Sequence, residues 1–252
     1  TIYVLVGFFL GTQRTIISSF LIITLSLLNI CFSIYFVNVL DLNVKGVAFG
    51  TLLSAYITVL SFSVFTYFYI IKKFKVIPRF AYKKLLNFKK IFKLLNINFN
   101  IFIRTLLLTF SFFWITYLGS TLGEEYVAVN SVLLQLIFIS SFFLDAYAFS
   151  TEGIIGYSIG KKSSKMFIST TKNSLILSFI TGVLISIFFL FFAKEIINLI
   201  TDLEYLKFLT YKYLIWVILI PPIASIAYQL DGIFIGATQT KELRNAMIVS
   251  VF

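Results

Sequence analysis

Long apolar blocks separated by short polar segments dominate the pattern of this chain. Six blocks exceed twenty mostly apolar residues, at 15–38, 44–71, 95–118, 127–159, 167–192 and 213–238, and part of a further block stands at each end. A helix needs about 20 such residues to cross a bilayer. The blocks lack the apolar–polar alternation of membrane strands. The pattern predicts an all-α integral membrane protein whose two ends both fall inside helices, as in an internal piece of a longer protein.

Composition supports this class and excludes several others. Of the 252 residues, 60% are hydrophobic and only 12% charged, whereas soluble domains carry about 25% charged residues. The chain has no His and a single Cys, Cys31, which excludes His-based triads, His-ligated metals and disulfides within the chain. No nucleophile–base pair or nucleotide-binding loop is visible. We therefore expect neither an enzyme nor a cofactor.

The polar loops predict the orientation in the membrane. The segment 72–93 carries nine Lys and Arg residues and no acid, while the next loop, 119–126, carries Glu124 and Glu125 and no base. Counted over all loops, 16 basic residues lie on one side and 4 on the other. An excess of Lys and Arg marks the cytoplasmic side. The net charge of +11 is then explained by loops near anionic lipid, and nucleic-acid binding is not expected.

A short motif occurs twice. GFFLGTQ at 7–13 and GIFIGATQ at 232–239 are 225 residues and six predicted spans apart. An even number of spans between copies is typical of two parallel six-helix halves, although chance recurrence of frequent Gly and Phe is the alternative. The motif predicts the remainder of an N-terminal lobe at 1–73, a basic cytoplasmic loop at 74–94 and a C-terminal lobe at 95–252.

After the residues counted with the loops, four charged residues remain inside the predicted spans: Arg104, Asp145, Glu152 and Asp231. A charge at the bilayer centre costs at least about 2.5–3.5 kcal/mol, so such residues face the protein interior and are functional candidates. Since one base cannot neutralise three acids, either a carboxyl carries a proton or a cation shares the site. We expect Arg104 to pair with Glu152 or Asp231, which lie at similar depth. A purely structural ion pair is the alternative for Arg104.

Polar side chains near these charges are expected to line a cavity. Asn100 lies one helical turn from Arg104, and Tyr228 and Gln229 directly precede Asp231.

Two other features of the last complete span concern helix packing. Pro221 and Pro222 are expected to break that helix, which is tolerated at membrane depth where the backbone borders protein or water. Gly232 and Gly236 would allow a neighbouring helix to approach closely.

Two segments closely resemble a known family. Residues 229–247 (QLDGIFIGATQTKELRNAM) resemble the tenth-helix segment of the DinF branch of the MATE family, the multidrug and toxic-compound extrusion transporters, and residues 144–160 (LDAYAFSTEGIIGYSIG) are similar to its eighth helix. Shorter matches occur at 43–46, at 213–216 and at 128–130, where Asn130 joins the polar cavity candidates. The resemblance extends along the whole chain, from the end of helix four to the start of helix eleven.

The resemblance implies a twelve-helix bundle of two six-helix lobes and cation-coupled antiport. It implies ion coupling by Asp145, Glu152 and Asp231 together with Arg104, with H⁺ or Na⁺ as the coupling ion and a Na⁺ site near Asp231. The family's first helix, which carries a coupling Asp in many members, has no counterpart here. Ser33 also stands where relatives often place an Asp, and a Ser does not titrate near neutral pH. More weight therefore falls on the C-terminal acids.

The expected function is export of drugs or metabolites, driven by H⁺ or Na⁺, by a monomeric multi-pass protein of the bacterial cytoplasmic (inner) membrane. The substrate is expected to be a small organic molecule, cationic or amphipathic. A lipid-linked flippase of the same superfamily is one alternative. Recognition of phosphate needs cations, however, and Arg104 is the sole basic residue that is not counted with the loops. A truncated, non-transporting fragment is the other.

Overall fold

Helices account for nearly all of the residues that the computed structural model describes, 2–75 and 87–252. The helices in these ranges are α1 (Ile2–Gly11), α2 (Thr15–Asn38), α3 (Asn43–Phe74), α4 (Phe88–Leu122), α5 (Glu124–Gly160), α6 (Ser164–Ile200), α7 (Glu204–Gly236) and α8 (Thr240–Val251). Helices α2 to α7 are long and apolar enough to cross a membrane. The all-α membrane fold is confirmed, and no strand occurs within the described residues.

Each predicted span corresponds to one helix, but several helices are longer than predicted. Helix α4 begins seven residues before the predicted span, and α7 begins nine residues before its own. Hydropathy marks only the part of a helix that lies in hydrocarbon, whereas the backbone hydrogen bonds continue through polar residues at the interface. The helical start of α4 covers 88–94 of the predicted loop 74–94, and residues 76–86 of that loop lie outside the described residues.

The chain divides into two compact units, Thr1–Asn87 and Phe88–Phe252. In the first unit α2 and α3 pack closely, because Gly50 faces the backbone of Ser33 and Gly46 faces that of Phe36. A Cβ atom added at Gly50 would lie 2.8 Å from the Ser33 amide nitrogen. The predicted lobe boundaries stay a prediction.

The second unit contains α4 to α8. Helix α7 packs against both α5 and α6, and α4 packs against α5 and α8. An apolar core joins α5, α6 and α7 in the half of the unit near the predicted extracellular ends. Its buried members are Val129, Val132, Leu133, Leu136, Phe189, Ala193, Ile197, Leu206, Leu214 and Val217.

Helices α5 and α7 approach each other closely towards their predicted cytoplasmic ends. A Cβ atom added at Gly232 would lie 2.5 Å from the carbonyl oxygen of Ala148, and one added at Gly236 would lie 2.5 Å from that of Glu152. The two contacts are one turn apart on each helix. Small residues at this spacing let backbones touch, as is typical of membrane helices.

The expected break at the Pro-Pro pair is wrong: α7 is continuous from Glu204 to Gly236, with Pro221 and Pro222 inside it. Because Pro222 has no amide hydrogen, the carbonyl of Ile218 loses its helical partner. The Ser186 hydroxyl of α6 donates a hydrogen bond to that carbonyl. Gly182 of α6 lies against the Pro221 carbonyl, since an added Cβ would be 2.7 Å from it. Helix α6 thus compensates for the prolines, and the helix persists.

The α5–α7 contact predicts a large difference between two glycine substitutions. Gly232→Ala should destabilise the protein by about 1–3 kcal/mol, because the new methyl group meets backbone that cannot move aside. Gly160→Ala, at the end of α5, is the matched control, since a Cβ there has no atom within 4 Å. Thermal unfolding in detergent measures both. Equal melting temperatures for the two variants would contradict the close contact.

Candidate functional site

An ion pair joins α4 and α7 inside the second unit. The Nη2 atom of Arg104 lies 2.7 Å from the Oδ1 atom of Asp231, and the two side chains are 23% and 25% exposed. Of the two acids expected to pair with Arg104, the structure selects Asp231. The guanidinium therefore points towards α7 and not along its own helix towards the membrane surface.

The depth of this pair shows how far α4 projects. Asp231 lies five residues before the end of α7, whereas Arg104 lies 16 residues after the start of α4. At 1.5 Å per residue, the first three turns of α4 extend about 16 Å beyond the end of α7. These turns carry the exposed residues Lys93 and Asn96.

The other two acids lie on α5, two helical turns apart. Asp145 lies within electrostatic range of both Asp231 and Arg104, and Glu152 lies within range of Asp231. Neither makes an ion pair with any residue in the ranges 2–75 and 87–252. The structure thus brings the four predicted ionisable residues into one region, with one cation directly paired and two acids unpaired.

Tyr228 lies among these charges. Its hydroxyl donates a hydrogen bond of 2.6 Å to the Ser141 hydroxyl of α5, and the ring side chain lies near Asp145, Arg104 and Asp231. The hydrogen bond links α7 to α5 beside the ion pair that links α7 to α4.

A cavity of about 450 Å³ opens beside the ion pair. Arg104, Tyr228, Asp231 and Ser250 are its polar lining residues. The rest of the wall is apolar and comes from α4, α7 and α8: Leu108, Ala227, Leu230, Phe234, Leu243, Ala246 and Met247. The site is an apolar chamber with one ion pair in its wall.

The other expected cavity residues occupy different places. Asn130 faces Gly119 near the predicted extracellular ends of α4 and α5. Asn100 is 4% exposed and accepts a hydrogen bond of 2.8 Å from Nη1 of Arg244. Of the four polar candidates, Tyr228 is the one that lines the chamber beside the ion pair.

Gln229 is fully buried and contacts Thr151 of α5. The Thr151 hydroxyl lies 2.9 Å from the side-chain amide of Gln229 and 2.8 Å from the Tyr147 carbonyl. A hydroxyl has one hydrogen to donate. The consistent arrangement has the Gln229 amide nitrogen donating to Thr151 and Thr151 donating to the carbonyl. Gln229 therefore ties α7 to α5 and faces away from the chamber.

Arg244 is the residue of this region that sequence reasoning missed. The charge pattern assigns it to a cytoplasmic loop, but it lies in α8 and is half-buried against α4. No local signal separates it from the neighbouring exposed Lys241, because its burial depends on how α8 folds back onto α4.

No metal-ion site is evident among the described residues. Within residues 2–75 and 87–252, no three His, Cys, Asp or Glu side chains come together as a metal-binding group.

Known proteins resemble this chain over its whole length. The family model described as MatE matches residues 101–252, more than half of the chain. DNA damage-inducible protein F of Escherichia coli (strain K12) is 32% identical over 252 residues, which cover 98% of this chain and 53% of that relative. The chain therefore belongs to the MatE family. It spans about half the length of this curated relative.

Solved structures show the same fold. One is a multidrug resistance MATE family transporter of the MOP superfamily in an outward-facing conformation. It matches with a TM-score of 0.86 at 18% identity, and the match covers 97% of this chain and 54% of the transporter's chain. A MOP superfamily transporter from Pyrococcus furiosus has a TM-score of 0.80 at 18% identity, over 93% of this chain and 52% of its own. The fold is the MATE-like helical bundle, and the protein is a multi-pass protein of the bacterial inner membrane.

The ion pair predicts a measurable coupling between its two partners. Arg104→Gln and Asp231→Asn should each destabilise the protein, by about 1–3 kcal/mol, because each leaves a partly buried charge without its partner. The double variant should lose less than the sum of the two. Unfolding titrations in detergent supply the four free energies. Strictly additive losses would show that the two side chains do not stabilise one another, and Glu152→Gln, at an acid without an ion-pair partner, is the control.

Proposed function

We propose that this chain forms the greater part of one lobe, with the remainder of the other, of a secondary transporter that exports small organic molecules across the inner membrane in exchange for H⁺ or Na⁺. Membership of the MatE family supports transport. The observation that carries the coupling is the imbalance of charge next to the chamber: Arg104 has one carboxylate partner, while two more carboxylates lie on α5 without one.

The proposed coupling uses this imbalance. If all four groups were ionised, the region would carry a net charge of −2 in a medium where unpaired charge is costly. A proton or a cation that enters near Asp145 removes part of that charge. Binding of this proton or cation is therefore favoured by electrostatics, and its occupancy varies with the gradient of the coupling ion. Asp145 and Asp231 are the acids proposed to carry out this step.

Asp231 connects coupling to the position of the helices. Ionised Asp231 holds Arg104 at 2.7 Å and so links α7 to α4. A proton or cation that takes the carboxylate releases the guanidinium, which then no longer stabilises this arrangement. A ligand shifts a conformational equilibrium only by binding the two states differently. The ion pair supplies such a difference.

The chamber supports a class of substrate. Its volume of about 450 Å³ lies within the range of about 300–1,000 Å³ typical of small-molecule sites. Its wall is mostly apolar, and its charged groups neutralise one another. We propose an amphipathic organic molecule whose apolar body fills the chamber and whose charge, where it has one, competes for Arg104 or Asp231.

The flippase alternative is less favoured by this geometry. A lipid-linked phosphate in the chamber would need an available cation, and the cation that lines it, Arg104, is already paired with Asp231. Arg244 contacts the far side of the same region through Asn100 and does not line the chamber.

Transport by the complete gene product in proteoliposomes tests the proposal. Asp145→Asn should lower gradient-driven efflux by about tenfold or more while substrate binding persists, because the variant keeps size and polarity and loses only titration. Asp231→Asn should do the same. Asp145→Asn is the more informative of the two, since it breaks no ion pair. Imposing a pH gradient or a Na⁺ gradient separately identifies the coupling ion.

Glu195→Gln is the control, since Glu195 is an exposed acid near the predicted extracellular end of α6. Normal efflux with unchanged gradient dependence in both Asp variants would show that these acids are structural. Absence of efflux by the unmodified product under either gradient would favour the non-transporting alternative.

A further inference from the structure

Arg244 is a half-buried guanidinium whose partners are all neutral. Its Nη1 donates to Oδ1 of Asn100 at 2.8 Å, and its Nε and Nη2 donate to Oδ1 of Asn245 at 3.2 and 2.8 Å. No acid lies within ion-pair distance of it in the described parts of the chain. Removing a charge from water without a counter-ion is unfavourable. Two amide oxygens orient the group but leave its charge uncompensated.

Arg244 lies near a second guanidinium group, that of Arg104. It lies four residues after the start of α8, and Asp231 lies five residues before the end of α7. The α7–α8 hairpin thus contacts α4 twice, at Arg104 through Asp231 and at Asn100 through Arg244. The two contacts are one turn, about 6 Å, apart along α4. Two guanidinium groups are therefore near one another, and only one has a carboxylate.

The same face of α4 continues with further groups that suit an anion. Lys93 lies seven residues before Asn100 and Asn96 four residues before it. Helical geometry places all three side chains within an arc of about 60°. Lys93 and Asn96 line a groove with Phe88 and Phe92. Both phenyl rings are exposed.

The one nearby acid on α8 is turned elsewhere. Glu242 precedes Arg244 by two residues, which places it about 200° around the helix, and it is exposed. The excess of cation over acid at this end of α4 and α8 is therefore not balanced by Glu242.

We propose that Arg244, oriented by Asn100 and Asn245 and assisted by Lys93, binds the phosphate of an anionic amphiphile at the cytoplasmic surface of the membrane. A guanidinium presents a fork of donors that matches phosphate oxygens, and charge-assisted hydrogen bonds of this kind are strong. Juxtamembrane cations also meet the anionic lipids of the cytoplasmic leaflet. The phenyl groups of Phe88 and Phe92 would contact the apolar part next to the headgroup. This site is separate from the chamber and does not depend on transport.

Lipid binding to the whole chain in detergent micelles tests the site, with phosphatidylglycerol as the anionic probe and phosphatidylcholine as the net-neutral one. Phosphatidylglycerol should bind about tenfold more tightly than phosphatidylcholine. Arg244→Gln should lose about tenfold of that affinity, the value of one charge-assisted hydrogen bond. Lys241→Gln is the matched control, because it removes the same charge from an exposed position on the same helix, three residues away.

A second variant, Arg244→Lys, keeps the test decisive even if Arg244→Gln misfolds. Arg244→Lys keeps the charge and loses the fork, so its affinity should fall between those of the unmodified chain and Arg244→Gln. Competition by excess inorganic phosphate would support the anion site and assign it to free phosphate, whereas no competition supports a lipid headgroup. Equal losses in Arg244→Gln and Lys241→Gln, or equal affinity for the two lipids, would overturn the proposal.

Discussion

The pairing of Arg104 with Asp231 is the contact that sets the depth of α4 relative to α7 in the second unit. A guanidinium in a membrane-spanning helix must find a carboxylate, because hydrocarbon cannot solvate it. Here the carboxylate comes from α7, so α4 is held to α7 at a fixed depth, and the helical start of α4 is left to project past the end of its partner. The chamber exists next to this pair because α8 returns along α4 and completes its wall.

The second requirement is that α5 approach α7 closely. Gly232 and Gly236 remove the side chains that would keep the helices apart, so that backbone meets backbone at Ala148 and Glu152. Without a hydrophobic driving force between helices in lipid, such van der Waals contact and the buried Thr151–Gln229 hydrogen bond hold the pair together. One consequence concerns charge. Helix α5 carries both unpaired acids, so its close packing on α7 places them beside Asp231.

Sequence alone predicts the spans well, because hydropathy is a property of single segments. The orientation, which rests on loop charge, stays a prediction. It also predicts that Arg104 pairs with an acid at its own depth, since an unpaired charge is costly wherever it lies. The choice of Asp231 over Glu152 is a tertiary property: α4 packs against α5, which carries Glu152, yet the Arg104 side chain reaches Asp231 of α7. The predicted break at the Pro-Pro pair is wrong for the same reason: Ser186 and Gly182, on another helix, compensate for the missing amide. The burial of Arg244 is not predictable from its own segment, because it arises only when α8 folds back onto α4.

The two contacts between α4 and the α7–α8 hairpin differ in their chemistry, and this bears on the proposed coupling. The Arg104–Asp231 contact depends on an ionised carboxylate, so a proton or cation at Asp231 weakens it. The Asn100–Arg244 contact joins an amide oxygen to a guanidinium and involves no carboxylate. It therefore persists when the first contact is lost. Helix α4 would then remain attached at Asn100 and become free one turn deeper, so that movement is confined to its membrane-embedded part. A change in charge at one acid could in this way alter the chamber while the cytoplasmic end of the lobe stays fixed.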